Sequence, residues 1–206
     1  MKKITVVAFS LALIFVGCKK DSNDDAAPGT PTLTVNSTPQ VSFKLDGVAT
    51  SVIESSTIIQ YVFSSKSLAT PPDSSSGAWS AVFTNDATGD AIFTVDKGFL
   101  NFLGASPTTA AYSTFFKVGS SSYVANPDNQ LGVRMSYVIN GVEWSTNAGA
   151  GTQTGSTFAI SETQNWSLNG ETGVNILASF NCKLYDGNGN SKTITNGVAV
   201  CAFQND

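Results

Sequence analysis

Histidine is missing from all 206 residues of the chain, and arginine occurs once, at Arg134. The first absence removes Ser-His-Asp and Cys-His nucleophile pairs and every histidine-ligated metal site. It leaves carboxylate chemistry open, such as glycoside hydrolysis by two acids. The scarcity of arginine, with 11 basic against 15 acidic residues in total, argues against nucleic acid as a partner, because that affinity rests on Lys and Arg neutralising phosphates. Cysteine is scarce as well, limited to Cys18, Cys182 and Cys201. No apolar run reaches the roughly 20 residues that a membrane-spanning helix needs, and no amphipathic helical stripe of useful length appears.

What is present first is a leader. Lys2 and Lys3 open the chain, a short and mostly apolar stretch follows, and Gly17-Cys18 ends it. That three-part pattern is a secretory signal peptide over residues 1–17. Phe15-Val16-Gly17-Cys18 resembles a bacterial lipobox. The resemblance implies that Cys18 carries the lipid and becomes the mature N-terminus. Removing residues 1–17 takes away two lysines and no acid, so the formal charge of −4 becomes −6. Lys19, Lys20, Asp21, Asp24 and Asp25 come next. This cluster resembles the export signal of Bacteroidota lipoproteins, which implies a lipid-anchored protein on the outer face of the outer membrane. Read from its residues alone, the same segment is a solvated tether on the periplasmic or the outer face. Residues 18–40, with Pro28, Pro31 and Pro39, have little to bury and read as a disordered, extended spacer.

Residues 41–206 have the size of one domain, and their pattern is β nearly throughout. Val41, Phe43 and Leu45 alternate up to Asp46-Gly47, and Val48, Thr50 and Val52 leave it, which is a strong hairpin signal. Asn140-Gly141 marks a second hairpin in which Ile139 faces Val142, Tyr137 faces Trp144 and Met135 faces Thr146. Ile92 to Val95 reads as a strand, Asp96-Lys97-Gly98 as a turn and Phe99 to Leu103 as the next strand. Residues 66–78 read as a loop. Tyr112 to Val118 fits a strand or one to two helical turns. Near the end, Ile176, Ala178, Phe180, Cys182 and Leu184 fall on one face, and residues 192–195 and 198–203 read as two returning strands. Frequent short strands joined by turns give an all-β fold: a single-domain antiparallel β-sandwich, immunoglobulin-like or jelly-roll-like. The last third, from Glu143 onward with its Trp-Ser-Thr, Ser-x-Phe-x-Ile and Thr-Asn-Gly runs, is similar to small Bacteroidota lipoproteins of unknown function. The resemblance implies a β-rich envelope protein and brings no activity with it.

Candidate chemistry is thin. Outside the cytoplasm Cys182 and Cys201, 19 positions apart, are expected to form a disulfide, worth about 3 kcal/mol in the chain-entropy view; the alternative is two buried free thiols on neighbouring strands. Asp186-Gly187-Asn188-Gly189-Asn190 spaces oxygen ligands as a calcium loop does, yet Ser191 and Gly197 stand where that pattern requires Gly and Glu, so it reads as a turn. Neither a metal nor another cofactor is expected. Glu54, Glu143, Glu162 and Glu171 are the acids from which a hydrolase pair would have to come. Aromatics are the better binding candidates: Trp166, with polar neighbours, and the cross-strand pair Trp144 and Tyr137 offer flat faces for sugar rings, against the alternative of core packing. The reading that follows is a lipid-anchored envelope protein, a non-catalytic binding or structural module for a glycan or a protein partner. A carboxylate-dependent polysaccharide hydrolase and a passive scaffold are the alternatives.

Overall fold

The computed structural model describes residues 33–70, 73–149 and 151–205. The signal peptide, Cys18 and the first part of the tether lie outside the described residues. Leu33–Asp206 forms one compact unit. It starts before residue 41: Val35 is buried against Leu177 and Val200, and its N–H donates to Glu162 Oε2.

The fold is all-β, and every pairing between its strands is antiparallel. β1 (Gln40–Leu45) and β2 (Val48–Ile53) form the first hairpin. Leu45 pairs with Val48 across Asp46 (φ 49°) and Gly47 (φ 87°), the left-handed pair that a two-residue turn demands. β3 (Ile58–Ser67), β4 (Ser75–Asn85) and β5 (Ala91–Phe102) make a meander. A short helix, α1 (Thr109–Phe115), follows, with Thr108 Oγ1 capping the N–H of Ala111. β6 (Gly119–Ser121) is brief. β7 (Gly132–Ile139) and β8 (Val142–Ser145) form the Asn140-Gly141 hairpin, with Tyr137 facing Trp144 as expected. Met135 and Thr146 bond through the Thr146 N–H, 2.9 Å from the Met135 carbonyl. β9 (Thr157–Leu168), β10 (Glu171–Tyr185) and β11 (Ser191–Gln204) are the long strands.

The main path of the sheet runs β2-β1-β11-β10-β8-β7-β5-β4-β3, with β9 on β10 and β6 on β9. β10 divides one edge between two partners. Residues 171–181 pair with β9, and Tyr185 pairs with Ser145 of β8. Gln153 fills the gap between them. Its Oε1 accepts from the Lys183 N–H at 3.0 Å, and its Nε2 donates to the carbonyls of Lys183 (2.6 Å) and Thr146 (2.9 Å). A second glutamine brings the far end of the curled sheet round: Gln60 of β3 exchanges two 3.2 Å bonds with the backbone of Ala202 on β11. Each side-chain amide thus supplies the donor and acceptor that a missing strand would have given.

Inside the curl lies one core with two aromatic groups. Phe43 and Phe93 pack on each other, and each packs on both Tyr137 and Phe180. Trp79 packs on Phe102, Tyr112 and Phe115, and Phe116 on Phe203. Burying each such side chain stabilises the fold by about 1.5–3 kcal/mol. This burial also holds α1, since seven residues are too few to form a helix unaided.

The structure corrects the disulfide. Cys182 and Cys201 are buried free thiols. They do sit on neighbouring strands, but Cys182 lies opposite Ile194 and Cys201 opposite Ile176. Six strand residues therefore separate the two positions, about 20 Å at 3.3 Å per residue, whereas a bridge needs Cα atoms within about 7 Å. Two strand boundaries also differ from the sequence reading. β5 runs straight through Asp96-Lys97-Gly98. β11 is continuous through Asn196-Gly197, where the register shifts against both neighbours.

Candidate functional site

The uninterrupted course of β5 puts two charged residues in the middle of a strand. Side chains alternate between faces, so Asp96 and Lys97 point in opposite directions. Asp96 pairs with Ser80 and Arg134 on the outer face. Its Oδ1 accepts from Ser80 Oγ at 2.5 Å and its Oδ2 from Arg134 Nε at 2.6 Å. Lys97 pairs with Trp79 and Val133 on the inner face.

Lys97 is 4% exposed and stands at the base of a cleft of about 750 Å³ between β5, α1 and the segment that carries β6. Its ammonium donates to Ser121 Oγ at 3.1 Å and lies 4.8 Å from the centre of the Phe115 ring. Phe99, Leu100 and Val118 give the cleft apolar wall; Thr114, Ser120 and Ser122 give it hydroxyls. Lys117 is the one other charged residue in the lining, and no acid is among those residues. Burial pushes Lys97 down from 10.5 to about 8, because desolvation disfavours the ammonium form. Backbone contact shapes the opposite wall. A Cβ on Gly132 would lie 2.3 Å from Val124 and 2.5 Å from the Ser122 carbonyl, so only glycine lets the 122–124 segment close on β7.

The aromatic candidates are placed differently. Tyr137 and Trp144 are brought together as the hairpin requires, but Tyr137 spends its ring on Phe43 and Phe93, and Lys192 Nζ sits 5.0 Å over the Trp144 ring. Trp166 is on β9, away from that pair, with its ring against Gly173, its partner on β10. Its Nε1 is buried and thus turned from solvent. Tyr61 and Phe63 on β3 are more open, 44% and 55% exposed with ring centres 6.3 Å apart.

Each of three acids has a separate partner: Glu54 accepts from the Gln60 N–H, Glu162 from the Val35 N–H and Glu171 from Gln204 Nε2. Glu143 is exposed on β8, opposite Val138. Asp186 spends its carboxylate on its own turn, accepting from the N–H groups of Asn188 and Asn190 and from Asn190 Nδ2. The bond from the Asn190 side chain is the main cause that lowers its pKa. No group of three or more His, Cys, Asp or Glu converges among the described residues.

Lys97 escaped the sequence reading because Asp-Lys-Gly looks like turn chemistry. The signal was the parity of Phe93, Val95 and Lys97, which carries a lysine onto the apolar face of the strand before its register against β4 shifts at Gly98-Phe99. No family model, curated protein or solved structure matches the chain.

Proposed function

We propose that this chain is a non-catalytic binding module of the bacterial cell envelope, held to the outer membrane by lipid on Cys18 and turned toward the cell surface, with the Lys97 cleft as its ligand site and a glycan as its ligand. The observation that supports this reading is the cleft itself, which pairs a buried ammonium with apolar and hydroxyl-bearing walls. Its volume of about 750 Å³ falls in the range of small-ligand sites, about 300–1,000 Å³. Serine and threonine hydroxyls suit sugar hydroxyls, and Phe115 and Leu100 suit the apolar face of a pyranose. The acids a hydrolase would need are absent from the lining, which favours capture over turnover.

The test is calorimetric titration of the full-length protein, isolated from membranes in detergent, with oligosaccharides of defined composition, neutral and acidic. Binding that disappears on Thr114→Trp, which fills the cleft mouth, is the expected result. Silence toward every oligosaccharide overturns the glycan as ligand, binding that survives Thr114→Trp overturns the cleft as its site, and cleavage of a bound oligosaccharide overturns the non-catalytic reading. Protease treatment of intact cells, beside a Cys18→Ala control, tests the location: the protease should remove the domain without any permeabilisation of the outer membrane, and Cys18→Ala should leave the membrane fraction.

A further inference from the structure

We infer that the cleft takes a ligand bearing a single carboxylate, which lies on Lys97 Nζ beside Ser121 Oγ while the body of the ligand rests against Phe115, Leu100 and Val118. This inference rests on the reading of the cleft as the ligand site and goes further by fixing the ligand's charge.

Charge accounting around β5 carries it. A buried cation is ordinarily paired. Two ion pairs occur among the described residues, Arg134–Asp96 and Lys192–Asp46, and neither involves Lys97. Asp96, its chain neighbour, is held on the opposite face by Ser80 and Arg134. No other acid enters the lining from β5, α1, β6 or β7. An acidic chain has thus kept carboxylates out of one cleft and left an ammonium buried in it. An ammonium has three donors; Ser121 takes one and the Phe115 ring covers one side, so donor capacity remains for an incoming oxygen.

The same count sets the charge of the ligand. One buried cation balances one negative charge. Lys117 is exposed at the rim, and no arginine lines the cleft to give the two-pronged contact that phosphate recognition favours. A monocarboxylate fits better than a phosphate. Two sources share that chemistry: a uronic acid in a glycan, and an aliphatic acid.

Binding needs the protonated amine, and burial sets Lys97 at about 8. Affinity is therefore expected to hold steady from about pH 6 to about pH 8, where the carboxylate is ionised and the amine protonated, and to fall above it, by up to tenfold per pH unit. Lys117 is the one other charged group facing the site.

The experiment titrates the full-length protein with galacturonate, its methyl ester, hexanoate and inorganic phosphate, and repeats the series on Lys97→Met. The expected result is that galacturonate or hexanoate binds at least tenfold more tightly than the uncharged ester, and that Lys97→Met erases the difference. Preference for galacturonate assigns the carboxylate to a glycan; preference for hexanoate assigns it to an aliphatic acid and overturns the glycan part of the functional reading. Equal binding of acid and ester, blocked by Thr114→Trp and indifferent to Lys97→Met, overturns the carboxylate and leaves the cleft reading standing. Preference for phosphate also overturns it. Should none of the four bind, both readings fall. Nitrogen-15 NMR of the lysine side chains gives a measurement that needs no variant: the bound carboxylate should raise the Lys97 pKa, and an unmoved titration would sink the assignment.

Discussion

Lys97 of β5 holds its ammonium 4.8 Å from the ring centre of Phe115 on α1, so a charge on the sheet and a ring on the helix share one wall of the cleft. Tyr112 and Phe116 secure the helix in the core, which leaves Phe115 partly exposed and turned toward the lysine. The ring's negative face favours the charged amine, an effect of about 0.5–2 kcal/mol depending on desolvation. Phe115→Leu keeps an apolar wall and removes that face. The variant should lose about 1–2 kcal/mol in denaturant melts, and its Lys97 should titrate below the wild-type value of about 8. An unchanged lysine titration would show that the ring contributes packing alone.

The buried amine also predicts how stability depends on pH. Lys97 titrates at about 8 in the folded chain, against an ordinary lysine value of 10.5 once the chain unfolds. Below pH 8 both states hold the proton, and the folded state bears the full penalty of a desolvated ammonium, roughly 3 kcal/mol. Between pH 8 and 10.5 the unfolded chain binds more protons, so this group makes stability rise with pH. The thiols act the other way. Burial lifts Cys182 and Cys201 from 9.0 to about 12, so their contribution is whole below pH 9 and is lost from there upward. The lysine effect is therefore read as the difference between wild type and Lys97→Met. The variant should be the more stable by about 1–3 kcal/mol at pH 7, with a melting temperature roughly 3–8 °C higher, and the difference should shrink through pH 8–10. Parallel curves would mean that Lys97 is well solvated in solution.

Separation of the cysteines gives a prediction that mass and colour both read. Full-length protein lacking the Cys18 thiol, through lipidation or Cys18→Ala, should show two free thiols in denaturant and almost none in the native state. Air oxidation should leave the intact mass unchanged, because Cys182 and Cys201 lie opposite Ile194 and Ile176 rather than each other. Loss of two mass units with no dimer would mean that the β10–β11 register is wrong.

How far these features could be read in the sequence depended on where their physical cause lay. Asp46-Gly47 and Asn140-Gly141 were legible, because a two-residue hairpin needs left-handed residues at fixed positions and the flanking alternation sets the register. The same dipeptide at Asn196-Gly197 means something else. There the strand continues, Asn196 has φ 53°, and a Cβ on Gly197 would lie 2.5 Å from the Phe180 ring, a contact made with another strand. Asp96-Lys97-Gly98 failed for a related reason. What permits a charge at Asp96 is Arg134, and what permits one at Lys97 is Ser121 and Phe115; all are distant in the chain. The two strand-mimicking glutamines, Gln60 and Gln153, were equally illegible, since nothing local marks an amide that pairs with a strand edge. The tyrosine and tryptophan expected to meet across β7 and β8 did meet, but alternation could not say that Phe43 and Lys192 would occupy them.

The ion pair on the outer face of β5 closes on an asymmetry that mutation can expose. The Asp96 side chain is 5% exposed and the Arg134 side chain 35%. Removing Arg134 strands a buried carboxylate on Ser80 alone, whereas removing the charge on Asp96 leaves a guanidinium that water can still reach. Arg134→Met should therefore cost about 3–5 kcal/mol, the range for one partner lost from a buried pair. Asp96→Asn, which keeps an acceptor for Ser80, should cost about 1–2 kcal/mol. The double variant should be more stable than the sum of the two predicts, because the stranded charge is gone. Urea melts of the four proteins measure this directly. Equal costs for the two single variants would mean that Asp96 is hydrated in solution, and strict additivity would mean that the two residues do not interact.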